Sequence, residues 1–161
     1  MKELIKKIQK EWQKAKDEAQ MICASIGNKE LAQKLADCTM FKGTENLEQL
    51  IRLMFTPQGI EFLTRYNFPD LATFRKFKKY HPERYGVYID CGEISLSEAR
   101  RVFLVGNSSA MLNYRETAGN RVYLMHGARA SIIASGYAVV KIENDAKSSV
   151  SYITKDKAIV R

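Results

Sequence analysis

The chain has 161 residues, 45% hydrophobic and 27% charged, with 26 Lys and Arg against 18 Asp and Glu for a formal charge of +8. That composition excludes a disordered or fibrous chain and allows one ordinary core, or a helical half and a β half that share one. The excess charge divides equally, with 16 basic against 12 acidic residues in 1–90 and 10 against 6 in 91–161, and it favours a polyanion or an acidic protein as partner while saying nothing of fold.

Met1-Lys2-Glu3-Leu4-Ile5-Lys6-Lys7 interrupts its apolar residues with charges, so no secretory leader and no membrane-spanning run is expected, and the chain is expected in the cytoplasm. Ile5, Ile8, Trp12, Ala15, Ala19, Ile22 and Ile26 then recur at alternating steps of three and four, which predicts one apolar stripe on a long helix closed by Gly27-Asn28. Such a stripe needs a partner surface. That surface is either the chain's own domain or a second copy, a homodimer through Ile5, Ile8, Trp12, Ala19 and Ile22. The opposite face carries Lys6, Lys7, Lys10, Lys14 and Lys16.

Asn28 is suited to cap a second helix over 29–38, and Thr44 a third over 45–55 with Leu47, Leu50, Ile51 and Met54 at helical spacing. Thr56-Pro57 reads as a cap followed by proline at the first helical position, giving a fourth helix through Tyr66. Phe68-Pro69-Asp70 breaks the chain before a fifth helix over 71–80, with Phe74 and Phe77 inward. Cys23, Cys38 and Cys91 are odd in number and far apart, which argues against a disulfide framework or zinc site and for reduced core residues.

After His81-Pro82 the period changes from helical to alternating, with Val87 and Ile89 facing one way, then Cys91-Gly92, then Ile94 and Leu96. Val102-Phe103-Leu104-Val105 to Ala110 is echoed twenty residues on by Val122-Tyr123-Leu124-Met125 to Ala130, and an imperfect third copy runs from Val139 to Ala146. Stacked β-coils of twenty residues account for this echo. Val102 would lie over Val122, Leu104 over Leu124 and Ala110 over Ala130, while Ala130, Ala138 and Ala146 would mark inward corners. A curled antiparallel sheet or small sandwich competes, since Gly119-Asn120 and Glu143-Asn144-Asp145 could be hairpin turns. The expected class is α+β: a helical region at 1–82, then a β-solenoid-like or curled antiparallel region at 83–161, forming one continuous structural unit.

Chemistry is sparse. Cys91, His126 and Asp90 could form a nucleophile, base and orienting acid, but His81 precedes a proline and His126 sits at a coil corner where the preceding copy has Gly106, so both read as structural. Gly106-Asn107-Ser108-Ser109 lacks the lysine and helix of a phosphate loop, and Asp90, Glu93 and Glu98 lack calcium-loop spacing. No enzyme activity, metal or cofactor is expected. The candidate binding residues are Arg75, Lys76, Lys78, Lys79, Tyr80, Arg84 and Tyr85, where cations on the sides of the fifth helix could face phosphates and the tyrosines could stack on unpaired bases.

Phe55-Thr56-Pro57-Gln58-Gly59-Ile60-Glu61-Phe62, Tyr85-Gly86-Val87-Tyr88-Ile89-Asp90-Cys91-Gly92, Leu124-Met125-His126-Gly127-Ala128-Arg129-Ala130 and Ala134-Ser135-Gly136-Tyr137-Ala138-Val139-Val140 make residues 55–160 resemble small uncharacterised proteins of bacteriophages and mobile elements. The resemblance implies a cofactor-free protein of a bacterial host cytoplasm that acts by binding. The partner it implies is a host protein or ribonucleoprotein, as in anti-CRISPR-like inhibition of a defence nuclease by binding the nuclease, its RNA or both; direct RNA contact is the possibility that the basic segment adds. The alternative is an assembly protein that oligomerises through the heptad helix or the solenoid edge.

Overall fold

A computed structural model describes residues 1–37 and 40–161, and the chain falls into two units, Met1–Tyr66 and Asn67–Arg161. In the first, α1 (Lys2–Ser25) buries Ile5, Ile8, Trp12 and Ala15, so the first half of the predicted stripe is core. The stripe's continuation is not covered: Ile22 is 52% and Ile26 72% exposed. Trp12 meets Phe41 edge-on at 6.2 Å, and the Tyr66 hydroxyl donates to the Ala15 carbonyl at 3.2 Å. Gly27, at φ +80°, ends α1 in the left-handed conformation that a Cβ disfavours.

The Asn28 side chain accepts from the Leu31 amide at 3.1 Å and starts α2 (Lys29–Ala36) as predicted; Cys38, the expected end, lies outside the described residues. Next, α3 (Leu47–Met54) is capped by Asn46, not Thr44. Asn46 accepts from the Gln49 amide while Gln49 accepts from the Asn46 amide, both at 2.9 Å, and this reciprocal box satisfies two otherwise orphaned donors. Glu45 is left outside the helix, accepting from the Lys42 amide. Thr56 caps α4 (Pro57–Tyr66) as expected, its hydroxyl accepting from the Gly59 amide at 3.0 Å. A Cβ on Gly59 would stand 1.9 Å from the Leu53 carbonyl oxygen.

In the second unit, α5 (Leu71–Arg75) is capped by Asp70, whose carboxylate accepts from the Thr73 amide at 2.6 Å. The expected helix over 71–80 stops there. The Lys76 and Phe77 amides bond three residues back, to Thr73 and Phe74, and this tightening leads into 3-10 turns at Lys78–Tyr80 and Pro82–Tyr85. With three residues per turn, Phe74 and Phe77 share a face, and both are buried.

Nine strands follow: β1 (Val87–Ile89), β2 (Gly92–Ser97), β3 (Arg101–Val105), β4 (Ser108–Tyr114), β5 (Gly119–Met125), β6 (Arg129–Ala134), β7 (Val139–Asn144), β8 (Ser149–Thr154) and β9 (Ile159–Val160). Odd strands form one sheet in the order β1-β3-β5-β7-β9, even strands another in the order β2-β4-β6-β8. Every pairing is parallel. The C-terminal region is therefore a β-solenoid of about four coils, and the antiparallel alternative is ruled out.

The register reproduces the echo: Val102 pairs with Val122, Leu104 with Leu124 and Ala110 with Ala130. These residues lie in one core with Leu112, Tyr114, Ile132, Ala134 and Val140. The third copy is shifted from the expected alignment, because Val122 pairs with Ile142 and Gly119 with Val139. The step of eight through Ala130, Ala138 and Ala146 is likewise not structural, since Ala146 is exposed; Ala138 belongs to a twenty-residue column whose members carry the corner bonds from Val139 to Ala118 and from Ile159 to Ala138. Among the described residues no helix is long and apolar enough to cross a membrane.

Candidate polyanion interface

The predicted basic segment folds as a tight series of turns, not one helix face, and this changes what each cation can do. Arg75, at the end of α5, donates from Nε to Asp90 Oδ2 at 2.7 Å, and Lys78 Nζ donates to the Asp90 carbonyl at 3.3 Å. Both therefore fasten the segment to the corner after β1. The Arg75 bond and charge hold the Asp90 carboxyl below its ordinary range against the opposing effect of burial, with help from the Asn107 amide.

Lys76, Lys79 and Arg84 are exposed. The Lys79 ammonium lies 5.1 Å from the centre of the Tyr80 ring, a cation–π arrangement that preorients it, and Tyr80 is half-buried. Tyr85 is 37% exposed. Phe74, Phe77 and Pro82 are buried, so a short stretch of chain alternates anchors with outward cations. Arg84 and Tyr85 lie where this stretch joins the solenoid: the Gly86 carbonyl accepts from the Phe103 amide at 2.8 Å, and a Cβ on Gly86 would stand 2.3 Å from the Arg101 carbonyl oxygen. With φ at +85°, that position suits glycine alone.

That junction adds residues absent from the predicted set. Arg101 and Arg121, exposed on β3 and β5, stand one place before Val102 and Val122, so extending the twenty-residue echo by a single position would have found them.

The remaining candidates have other partners. Asp90 is engaged as above. His126 Nε2 donates to the Pro69 carbonyl at 2.8 Å, and its backbone amide to Asp145 at 2.7 Å; the ring meets Phe74 edge-on at 5.6 Å. Asp90 and His126 follow Ile89 and Met125, which sit two strands apart through Val105, and the two side chains are engaged elsewhere, Asp90 by Arg75 and the Asn107 amide and His126 by the Pro69 carbonyl. Cys91 is exposed. Gly106 and His126 both adopt the left-handed corner conformation, at φ +66° and +62°, in agreement with their alignment. Among the described residues no group of three His, Cys, Asp or Glu is placed to hold a metal ion. No family model, curated protein or solved structure matches this chain.

Proposed function

We propose that this chain is a non-enzymatic binding protein that engages a polyanionic partner through the anchored turns at 75–85. The observation that carries this reading is the exposure of Lys76, Lys79 and Arg84 beside Tyr85, on a stretch pinned by buried Phe74, Phe77 and Pro82. A preorganised cationic surface loses little entropy on association, and its charge raises the encounter rate with an acidic partner. Arg75 and Lys78 position the segment, and Lys76, Lys79, Arg84 and Tyr85 meet the partner. The phage-like resemblance makes a host defence nuclease, its RNA or both the first partner to test, in the manner of an anti-CRISPR inhibitor.

Affinity purification of the full chain from a bacterial lysate, with identification of bound protein and bound RNA, tests this directly. Recovery should be lost when Lys76, Lys79 and Arg84 are changed together to Glu. Unchanged recovery, or a wild-type chain that retains nothing, would overturn the reading.

A second reading, assembly with another copy, is favoured by the uncovered end of α1. Met21, Ile22 and Ile26 are 64%, 52% and 72% exposed, next to a groove of about 250 Å³ lined by Trp12, Ala19, Leu31, Leu35 and Phe62. Ile5, Ile8 and Trp12 are buried, so only the Ile22 end of the predicted dimer stripe is accessible.

A further inference from the structure

The strongest charged feature outside residues 75–85 is a column across the odd-numbered sheet. Arg101 pairs with Arg121, and Arg121 with Lys141. Arg161 follows Val160, which pairs with Val140, and so takes the next place. All four are exposed. At roughly 4.8 Å between strands, four cations form a straight row about 14 Å long, perpendicular to the strands.

Like charges directly opposite one another destabilise a sheet, and the solenoid does not require them. The outward column Ser95, Met111, Ser131 and Ser151 on the other sheet follows the same pairing with uncharged residues. The row is a departure from what folding alone favours, and an anionic chain is what it complements. Glu143, 3.1 Å from Lys141 on the same strand, is an anion that a phosphate at Lys141 would displace.

The shape of the row narrows the class of ligand. It is one residue wide, so it follows one backbone; a duplex presents two, on either side of a groove. At its head, Gly86 packs on the Arg101 backbone, so Tyr85, the exposed residue before it, lies at the Arg101 end of the row. Cations along a backbone with an aromatic for an unpaired base are the recurring means of holding single strands without sequence preference.

We propose that Arg101, Arg121 and Lys141, with Tyr85 at their head, form a binding track for single-stranded nucleic acid lying across the strands of the odd-numbered sheet. This rests on the reading of the chain as a polyanion binder and names both a second surface and the ligand class.

Fluorescence anisotropy of labelled oligouridine with the full chain, over a series of salt concentrations, tests it. Changing Arg101, Arg121 and Lys141 together to Gln should weaken binding by about tenfold or more and flatten the slope of log affinity against log salt by about 2, from about 0.7 per phosphate contact. The charge-retaining set R101K, R121K and K141R should bind nearly as well as wild type, and circular dichroism should show the same fold in both sets. Tyr85→Ala should weaken binding without changing the slope. Full oligouridine binding by the Gln set, equally tight binding of a matched RNA duplex, or equal competition by polyglutamate would overturn the track. If the Gln set binds fully while the Lys76, Lys79 and Arg84 reversal does not, the track fails and the turns at 75–85 remain the binding surface. Loss with the Gln set alone supports the track.

Discussion

Asp90 and Asp145 stand at different corners of the solenoid and act alike: each carboxylate accepts a backbone amide from the neighbouring coil, Asn107 for Asp90 and His126 for Asp145. Asp156 does the same for Gly136, and Glu98 for Arg115. Corner amides have no strand partner, and a carboxylate is a strong acceptor for them. Asp90 titrates below its ordinary value of 3.8 chiefly through Arg75. For Asp145, burial pushes upward, but the amides of His126, Ser148 and Lys147 and the Ser148 hydroxyl outweigh it and leave the carboxyl lowered. A lowered folded value means that the stabilisation is fully present above the unfolded value and is lost as pH falls through the folded one. Urea midpoints should therefore hold steady above the carboxylate range and fall as pH drops below about 4. Asp145→Asn should cost about 1 kcal/mol at neutral pH and make the acid-side decline shallower; an unchanged decline would show that Asp145 is not among the groups responsible. Asp90 and His126 drew notice in the sequence as possible chemistry because a carboxylate that caps a neighbouring coil is the same residue type as one that orients a base. Only the register tells them apart.

The strands were legible where the repeat was strict. Val102 over Val122 and Leu104 over Leu124 follow from spacing alone, because a parallel coil stacks equivalents on one another. Spacing could not show that Phe103, Val105, Tyr123 and Met125, on the other face of β3 and β5, are buried as well. Phe74 meets Phe103 edge-on at 5.7 Å, and Phe103 meets Tyr123 at 6.1 Å. A strand covered on both faces reads as a continuous apolar run, which fits a parallel sheet better than a hairpin. The helices were legible in number, while their ends depended on which side chain reached which amide, as at Asn46. Protection should follow the same division. In amide hydrogen exchange, β5, paired on both sides and buried from Val122 to Met125, should be among the slowest segments. β8, at the end of its sheet with Tyr152 and Ile153 55% and 60% exposed, should exchange faster by orders of magnitude. Equal rates would mean that the coils open as a single unit.

For the molecule as a whole, the basic surfaces at 75–85 and along the cation row point to a different kind of association from the uncovered end of α1, and they lie on a different unit. The apolar end of α1 belongs to Met1–Tyr66; the basic turns and the cation row belong to Asn67–Arg161. If α1 joins two copies, light scattering should give twice the chain mass at high concentration, and Ile22→Glu should return it to the monomer mass without loss of helical signal. A wild-type monomer at every concentration would remove that reading and leave polyanion binding untouched. The two behaviours are separable by mutation because they draw on no residue in common. The twenty-residue register that holds from β3 to β9 carries a further implication for the cation row: it is a ruler graduated in whole coils. Repeating residues 121–140 once more would insert a complete turn, lengthen the row by about 4.8 Å and add one cation, while each existing corner kept its neighbours' geometry. Reach along a ligand could thus be changed in discrete steps by duplication within the gene, with no redesign of the site.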